Sequence, residues 1–124
     1  MKEQAYLFTK EHEWLAKQEN TNLIGLSAYA VEQLGDIVYV ELPKKGARFK
    51  KGDSFGTVES TKTVSDIYMP NDGEITEVNQ SVIDDPQLIE KDPYGQGWLV
   101  RIRQEGVAPT GLLSFSEYQS YIKA

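Results

Sequence analysis

Cysteine is absent from the 124 residues, which excludes a disulfide framework, a thiolate metal site and a catalytic thiol. Histidine occurs once, at His12, too few for a multi-histidine metal centre and a poor basis for a catalytic triad. No apolar run approaches the roughly 18 residues that span a bilayer. The opening MKEQAYLFTKEHEW lacks the apolar core and small-residue cleavage site of a signal peptide and is too acidic for a transit peptide. Positive charge is also scarce: the net charge is −6. That argues against a nucleic-acid partner, which needs a basic footprint, and against electrostatic attachment to a membrane. An intracellular, cytoplasmic protein is expected. Nor is there a catalytic cluster, so any redox or group-transfer chemistry has to come from something attached to the chain.

What is present is a single domain's worth of chain, with 40% hydrophobic residues, enough for one core. Turn residues recur at Gly25, Gly35, Pro43, Gly46, Gly52, Pro70, Gly73, Pro86, Pro93, Gly95 and Gly97. Between them lie short β-branched runs: DIVYVEL (36–42), SFGTVE (54–59), SDIYM (65–69), EITEV (74–78) and WLVRIR (98–103). Such spacing predicts a β-sandwich or barrel rather than βαβ units. In EITEV, Ile75 and Val78 break strict alternation, which predicts a bulge. SAYAVEQLG (27–35) reads as a helix from an N-cap at Ser27 to Gly35, and DDPQLIEK (84–91) as a turn or two with Pro86 at the first helical position. SFSEYQSYIK (114–123) is the clearest helix: Ser114 and Glu117 have capping-box spacing, and Phe115, Tyr118 and Ile122 share one face. QEGVAPTG is a linker that returns this helix to the sheets.

The segment around Lys62 is nearly symmetric. Lys51-Gly52-Asp53 turns into a strand leading to STKTVS (60–65), and Asn71-Asp72-Gly73 turns out of the strand leaving it. Two such half-units suggest two facing sheets with Lys62 at the hairpin between the strands. An exposed lysine at a turn is ordinarily a solvated residue that blunts an edge. Here small hydroxyl neighbours leave room for a bulky partner, and Glu59 stands three residues away. A protonated lysine amine is a poor nucleophile, but it can be acylated, which removes its charge and hangs a flexible group on the turn.

These residues resemble a known family. ESTKTVSDIY (59–68) is similar to the lipoylation motif of glycine cleavage system H proteins. FTKEHEWL (8–15), IGLSAYAVEQLGDIVYVELPKKG (24–46), KKGDSFGTVES (50–60), GEITEVN (73–79) and DPYGQGWLVRI (92–102) follow in the family's order. The likeness runs from about Tyr6 to Ile122. Thr61 and Thr63 stand where the family more often has Val and Ala, and Met69 where a small residue is commoner.

The resemblance implies a mostly β fold: a barrel-sandwich hybrid of two antiparallel sheets, of the lipoyl/biotinyl-carrier type, with short peripheral helices and a C-terminal helix. It implies one lipoyl-carrier domain over 1–124, with a core over 6–103, a linker over 104–113 and the helix over 114–123. It implies a carrier rather than an enzyme, with lipoic acid bound covalently to Lys62. The implied partners are the pyridoxal-phosphate glycine decarboxylase (P protein), the tetrahydrofolate-dependent aminomethyltransferase (T protein), dihydrolipoamide dehydrogenase (L protein), and a lipoate ligase or octanoyltransferase. Glu59 and Gly73 are implied in recognition by the ligase, and Glu13 and Asp66 in a cleft for the loaded arm. Alternatives are an H-like lipoyl donor outside glycine cleavage and, more distantly, a biotinyl carrier, whose motif has Met on both sides of the lysine. A lipoyl domain of a 2-oxo acid dehydrogenase lacks the HEW and DPYGQGW segments. His12 reads as a structural hydrogen-bonding residue, which if extended points away from Glu13. Trp14 and Trp98 read as packing residues, Gly95 and Gly97 as positive-φ loop positions, and Asp36 as a turn residue.

Overall fold

The computed structural model describes residues 2–105 and 110–123. Among these described residues a short 3-10 helix (Lys2–Ala5) leads into nine strands: β1 Leu7–Phe8, β2 Glu13–Gln18, β3 Thr21–Leu26, β4 Ile37–Glu41, β5 Arg48–Phe49, β6 Ser54–Ser60, β7 Val64–Tyr68, β8 Gly73–Val78 and β9 Val100–Gln104. Four helices punctuate them: α1 Ala28–Leu34, α2 Gln80–Asp84, α3 Gln87–Lys91 and α4 Phe115–Lys123. A six-stranded sheet has the order β1-β2-β3-β9-β8-β5, and a three-stranded sheet the order β4-β6-β7. All pairings are antiparallel. The mostly β, two-sheet architecture with small helices and a C-terminal helix is the one the resemblance implies.

The core lies between the sheets, where Leu15, Ile24, Val40, Val58, Ile67, Ile75 and Ile102 are buried in one cluster. Branched aliphatic side chains suit this place because they pack on a pleated surface with little loss of rotamer freedom. A second cluster is aromatic. Phe8, Trp14 and Tyr118 are buried, with Tyr6, Tyr94 and Phe115 packed on them. Tyr6 stacks on Trp14 at 4.7 Å between centroids and Phe8 on Tyr118 at 4.6 Å. This wedge seats α4, whose Ser114 and Glu117 form the expected reciprocal cap at 3.1 and 2.9 Å. Leu113 bridges to Phe8 through two backbone hydrogen bonds of 2.8 Å. The expected linker falls partly on residues 106–109, outside the described residues.

Several local readings hold. Ser27 caps α1 by accepting from Ala30 N–H at 3.1 Å, and Gly35 closes it with φ 82°. The register of β8 on β9 shifts between Ile75 and Glu77, where alternation breaks. Others need correcting. The expected turn or two over 84–91 is α3, but Pro86 is its N-cap and not its first helical residue, and an unexpected helix capped by Asn79, α2, precedes it. The half-units flanking Lys62 do not make facing sheets: β6 and β7 pair with each other in the small sheet. Their flanking turns do meet, through Gly52 N–H to Met69 O (2.9 Å), Met69 N–H to Asp53 O (2.8 Å) and Lys51 N–H to Asp72 Oδ1 (2.8 Å). The symmetry ties the base of the hairpin. Gly95 and Gly97 do not have positive φ; a Cβ at Gly97 would meet Leu88 O and Asp92 O at 2.8 Å, so close backbone approach is what requires glycine there.

Gly25 faces Trp14 across β2 and β3. A Cβ at Gly25 would sit 2.5 Å from the indole, which is itself held by Nε1–H to Pro93 O at 2.9 Å. Gly25→Ala is therefore expected to cost about 1–3 kcal/mol, the usual range for overpacking. Denaturant unfolding measures it, and an unchanged midpoint would mean that the indole moves aside freely.

Candidate functional site

The β6–β7 hairpin pairs Glu59 with Val64 and leaves Ser60–Thr63 as its tip. Ser60 N–H donates to Thr63 O at 2.8 Å. The Ser60 hydroxyl turns inward, accepting from Lys62 N–H at 3.3 Å and Thr63 N–H at 3.2 Å. A serine hydroxyl that accepts from the backbone two and three residues on is the local chemistry that favours serine at turns. Ser60 is only 5% exposed, while Thr61, Lys62 and Thr63 around it are exposed. Thr61 N–H donates to Asp36 O at 3.0 Å, tying the tip to the segment after α1. The tip is thus held by its backbone, and the side chain at Lys62 is left to solvent.

That side chain runs over Gly35. A Cβ at Gly35 would lie 3.4 Å from Lys62 Cε and 3.8 Å from Nζ, ordinary contact distances, so what requires glycine here is its φ of 82° at the end of α1 and not room for the lysine. Among the described residues Nζ has no hydrogen bond and no ion pair. An exposed, unpaired primary amine on a fixed turn fits a group joined through an amide. Sequence reasoning missed the role of Ser60, which is legible as a serine opening a turn, whereas Gly35 is the helix end it reads as.

The other candidate residues do not converge at the tip. Glu59 is exposed on the outer face of the small sheet, opposite Tyr39 and Val64. Gly73 is not a turn residue: it opens β8 in the large sheet, between Phe49 and Gln104, near the base of the hairpin. Its φ is not positive, and a Cβ would meet Arg103 O at 2.9 Å. Asp66 is exposed on β7 and accepts from Ser54 Oγ at 3.1 Å. Glu13 is buried, 2% exposed, and accepts from Thr9 Oγ1 at 2.6 Å and from Tyr68 N–H at 3.2 Å. Tyr68 lies two residues past Asp66 on β7, an edge strand of the small sheet. Glu13 therefore fastens β2 of one sheet to the free edge of the other, and it reaches Asp66 through the strand rather than by contact.

Burial pushes the Glu13 carboxyl up to about 7, against the hydrogen bonds from Thr9 and Tyr68, which favour its charged form. Beside it, His12 is not extended. Its φ is 75°, and Nδ1 is 2.7 Å from Tyr118 Oη. Tyr118 Oη also lies 2.7 Å from Ser27 Oγ. Burial lowers the affinity of His12 for a proton and pushes Tyr118 up to about 12. His12 thus helps to dock α4, the structural role expected of it.

Glu13 sets a pH dependence of known sign. Its proton is held more tightly in the folded chain than the ordinary value of 4.5, so folding takes up a proton and stability falls as pH rises from about 4.5 to about 7, then levels. Glu13→Gln removes this component. Relative to that variant, wild type is expected to lose on the order of 3 kcal/mol across the window. Denaturant unfolding of both proteins at several pH values checks it; a constant gap would mean that Glu13 titrates normally.

The family model for "Glycine cleavage H-protein" matches residues 6–124. The glycine cleavage system H protein of Herpetosiphon aurantiacus is 52% identical over 116 residues, covering 94% of this chain and 89% of that one. That of Thermosynechococcus vestitus is 48% identical, covering 94% and 91%. In three dimensions the chain is similar to the crystal structure of a glycine cleavage system H protein from Mycobacterium marinum, with TM-score 0.90 and 41% identity over 98% of both chains. With the two-sheet fold and the lysine hairpin in place, these matches show that the chain belongs to the glycine cleavage H-protein family.

Proposed function

We propose that this chain is the lipoyl carrier of a glycine cleavage system, a carrier component and not an enzyme, with lipoic acid in amide linkage to Lys62. The observation that supports it best is the unpaired, exposed amine on a tip whose backbone N–H groups are all engaged. Lipoamide supplies the thiol–disulfide chemistry that a cysteine-free chain lacks. The chain's own residues hold and expose the attachment point. The Ser60 turn and the bond from Thr61 N–H to Asp36 O fix its position. In this reading the chain carries the aminomethyl group of glycine from the decarboxylase to the tetrahydrofolate-dependent aminomethyltransferase, and dihydrolipoamide dehydrogenase restores the disulfide. A lipoate ligase or octanoyltransferase loads Lys62, recognising Glu59 directly. Gly73 acts on recognition through the base of the hairpin.

The aminomethyl cargo is a cation, so a cleft that shelters it needs a carboxylate. Asp66 is exposed and available for direct contact. Glu13, with both oxygens already engaged and its charged form disfavoured by burial, acts from beneath by holding the strand. A hydrogen bond to a charged group contributes about 1.5–3 kcal/mol, so Asp66→Asn should shorten the lifetime of the isolated loaded protein about tenfold, and Glu13→Gln should shorten it less. Lifetimes equal to wild type in both would leave burial as the only protection.

Attachment itself is tested by intact mass after co-expression with a lipoate ligase and lipoate. Wild type is expected to gain one lipoyl group, and Lys62→Arg none with its fold unchanged. A lipoylated Lys62→Arg, or biotin on wild type, would refute the assignment. Glu59→Ala should slow loading with little change in melting temperature, and equal loading rates would remove Glu59 from recognition.

A further inference from the structure

Four large hydrophobic side chains are markedly exposed among the described residues: Val38 (50%), Tyr39 (50%), Val64 (61%) and Tyr121 (40%). Single exposed apolar residues are ordinary on any protein surface. Here three of the four lie on the three-stranded sheet that ends in Lys62, which is a concentration that requires a reason.

The register supplies the geometry. Tyr39 pairs with Glu59 on β6, and Glu59 pairs with Val64 on β7. Residues directly opposite in antiparallel strands share a face, so Tyr39, Glu59 and Val64 form one row across the sheet. Val40 and Val58, the next pair, are buried on the other face, which makes this row the outer one. The register of β4 on β6 shifts between Ile37 and Tyr39. Such an irregularity re-aims side chains, and here it leaves consecutive residues, Val38 and Tyr39, both outside. Behind the row stands a second outer row, Glu41, Thr57 and Asp66. The outer face therefore has apolar flanks around one carboxylate nearest the tip and two more carboxylates behind.

We infer that this outer face, gripped through Tyr39 and Val64 on either side of Glu59, is the docking surface for the enzyme that acylates Lys62. The inference rests on the proposed attachment of lipoic acid to that lysine. Two features select this occupant. An acylating enzyme must bring its activated carbonyl carbon to Nζ itself: Nζ gives up a proton and forms the amide bond while the bond to the leaving group, AMP for an acyl-adenylate, breaks. Its active-site rim must then cover the residues one row from the tip. Enzymes that act on the far end of the long arm have no such need. Second, the charge pattern asks for a rim with basic residues over Glu59 and Glu41 and apolar recesses for Tyr39 and Val64. A tyrosine filling a recess, as Tyr39 would, is among the side chains from which interfaces draw most of their affinity.

The test uses full-length protein, a lipoate ligase, ATP and lipoate, with initial rates of Lys62 lipoylation read by intact mass. Tyr39→Ser and Val64→Ser are each expected to lower kcat/KM about tenfold, chiefly through KM, and the double variant further. Tyr121→Ser, an exposed apolar residue on α4, is expected to load at the wild-type rate. Acylation of Lys62 by a small N-hydroxysuccinimide ester, located by peptide mapping, should proceed equally in all variants, which shows that the amine and its turn are intact. Raising NaCl from low to high concentration should slow wild-type loading. If wild type is never lipoylated at Lys62, the proposed function fails. If wild type is lipoylated and the Tyr39 and Val64 variants keep its kcat/KM, the docking surface alone is wrong. If they load normally but, once lipoylated, lose turnover with the decarboxylase, the face belongs to that enzyme and the inference is overturned.

Discussion

The hydroxyl of Ser60 is the interaction on which the presentation of Lys62 depends. A hairpin tip bearing an exposed lysine has no core of its own to fix it, and its backbone donors would otherwise be left to water. One inward-facing oxygen takes the N–H groups of Lys62 and Thr63, and the Thr61 N–H goes to Asp36 beyond α1. Fixing these backbone groups costs about 1–2 kcal/mol per residue in conformational entropy. A group tethered there is mobile through its side chain and arm, while the attachment point stays put.

A fixed tip is of little use on a loose sheet, and three strands with two edges are a weak platform alone. Three ties anchor the small sheet to the rest. Glu13 reaches from β2 to the Tyr68 N–H on the edge of β7. The turns at residues 51–53 and 69–72 are joined by backbone and Asp72 hydrogen bonds at the hairpin base. At the other side Glu90 of α3 accepts from the Ile37 N–H at the start of β4. Glu13 is the costly one, a carboxyl placed inside, where its charged form is disfavoured. The same residue lies beneath the stretch of β7 that bears Asp66, so the anchor and the proposed cargo cleft share one carboxyl.

The sequence was most legible where local chemistry decides. The caps at Ser27 and Ser114, the end of α1 at Gly35 and the irregularity of EITEV follow from residues within one turn of each other. Strands β2 and β3 escaped the periodicity reading because Glu13, Trp14, Leu15 and Ala16 are all buried; aromatic packing covers the face that would otherwise alternate to water. Helix α2 was lost because Pro86 drew the boundary and the cap at Asn79 went unread. Gly73, Gly95 and Gly97 were assigned to turns, whereas their need for glycine comes from backbones that approach across the fold. The lysine was found by its motif. What holds its turn, Ser60 below and the Asp36 carbonyl beside, is partly local and partly tertiary, and the pairing of Glu59 with Tyr39 is invisible without the register of β4 on β6.

The central claim is that the chemistry of this chain resides in what Lys62 bears. Exchange of labelled bicarbonate into glycine, catalysed by a purified pyridoxal-phosphate glycine decarboxylase, tests it most directly when the chain is supplied lipoylated and unlipoylated at equal concentration. The account predicts exchange that saturates with the lipoylated chain and stays at background with the unlipoylated one. Equal exchange with both forms, or none with the fully lipoylated chain, would contradict it.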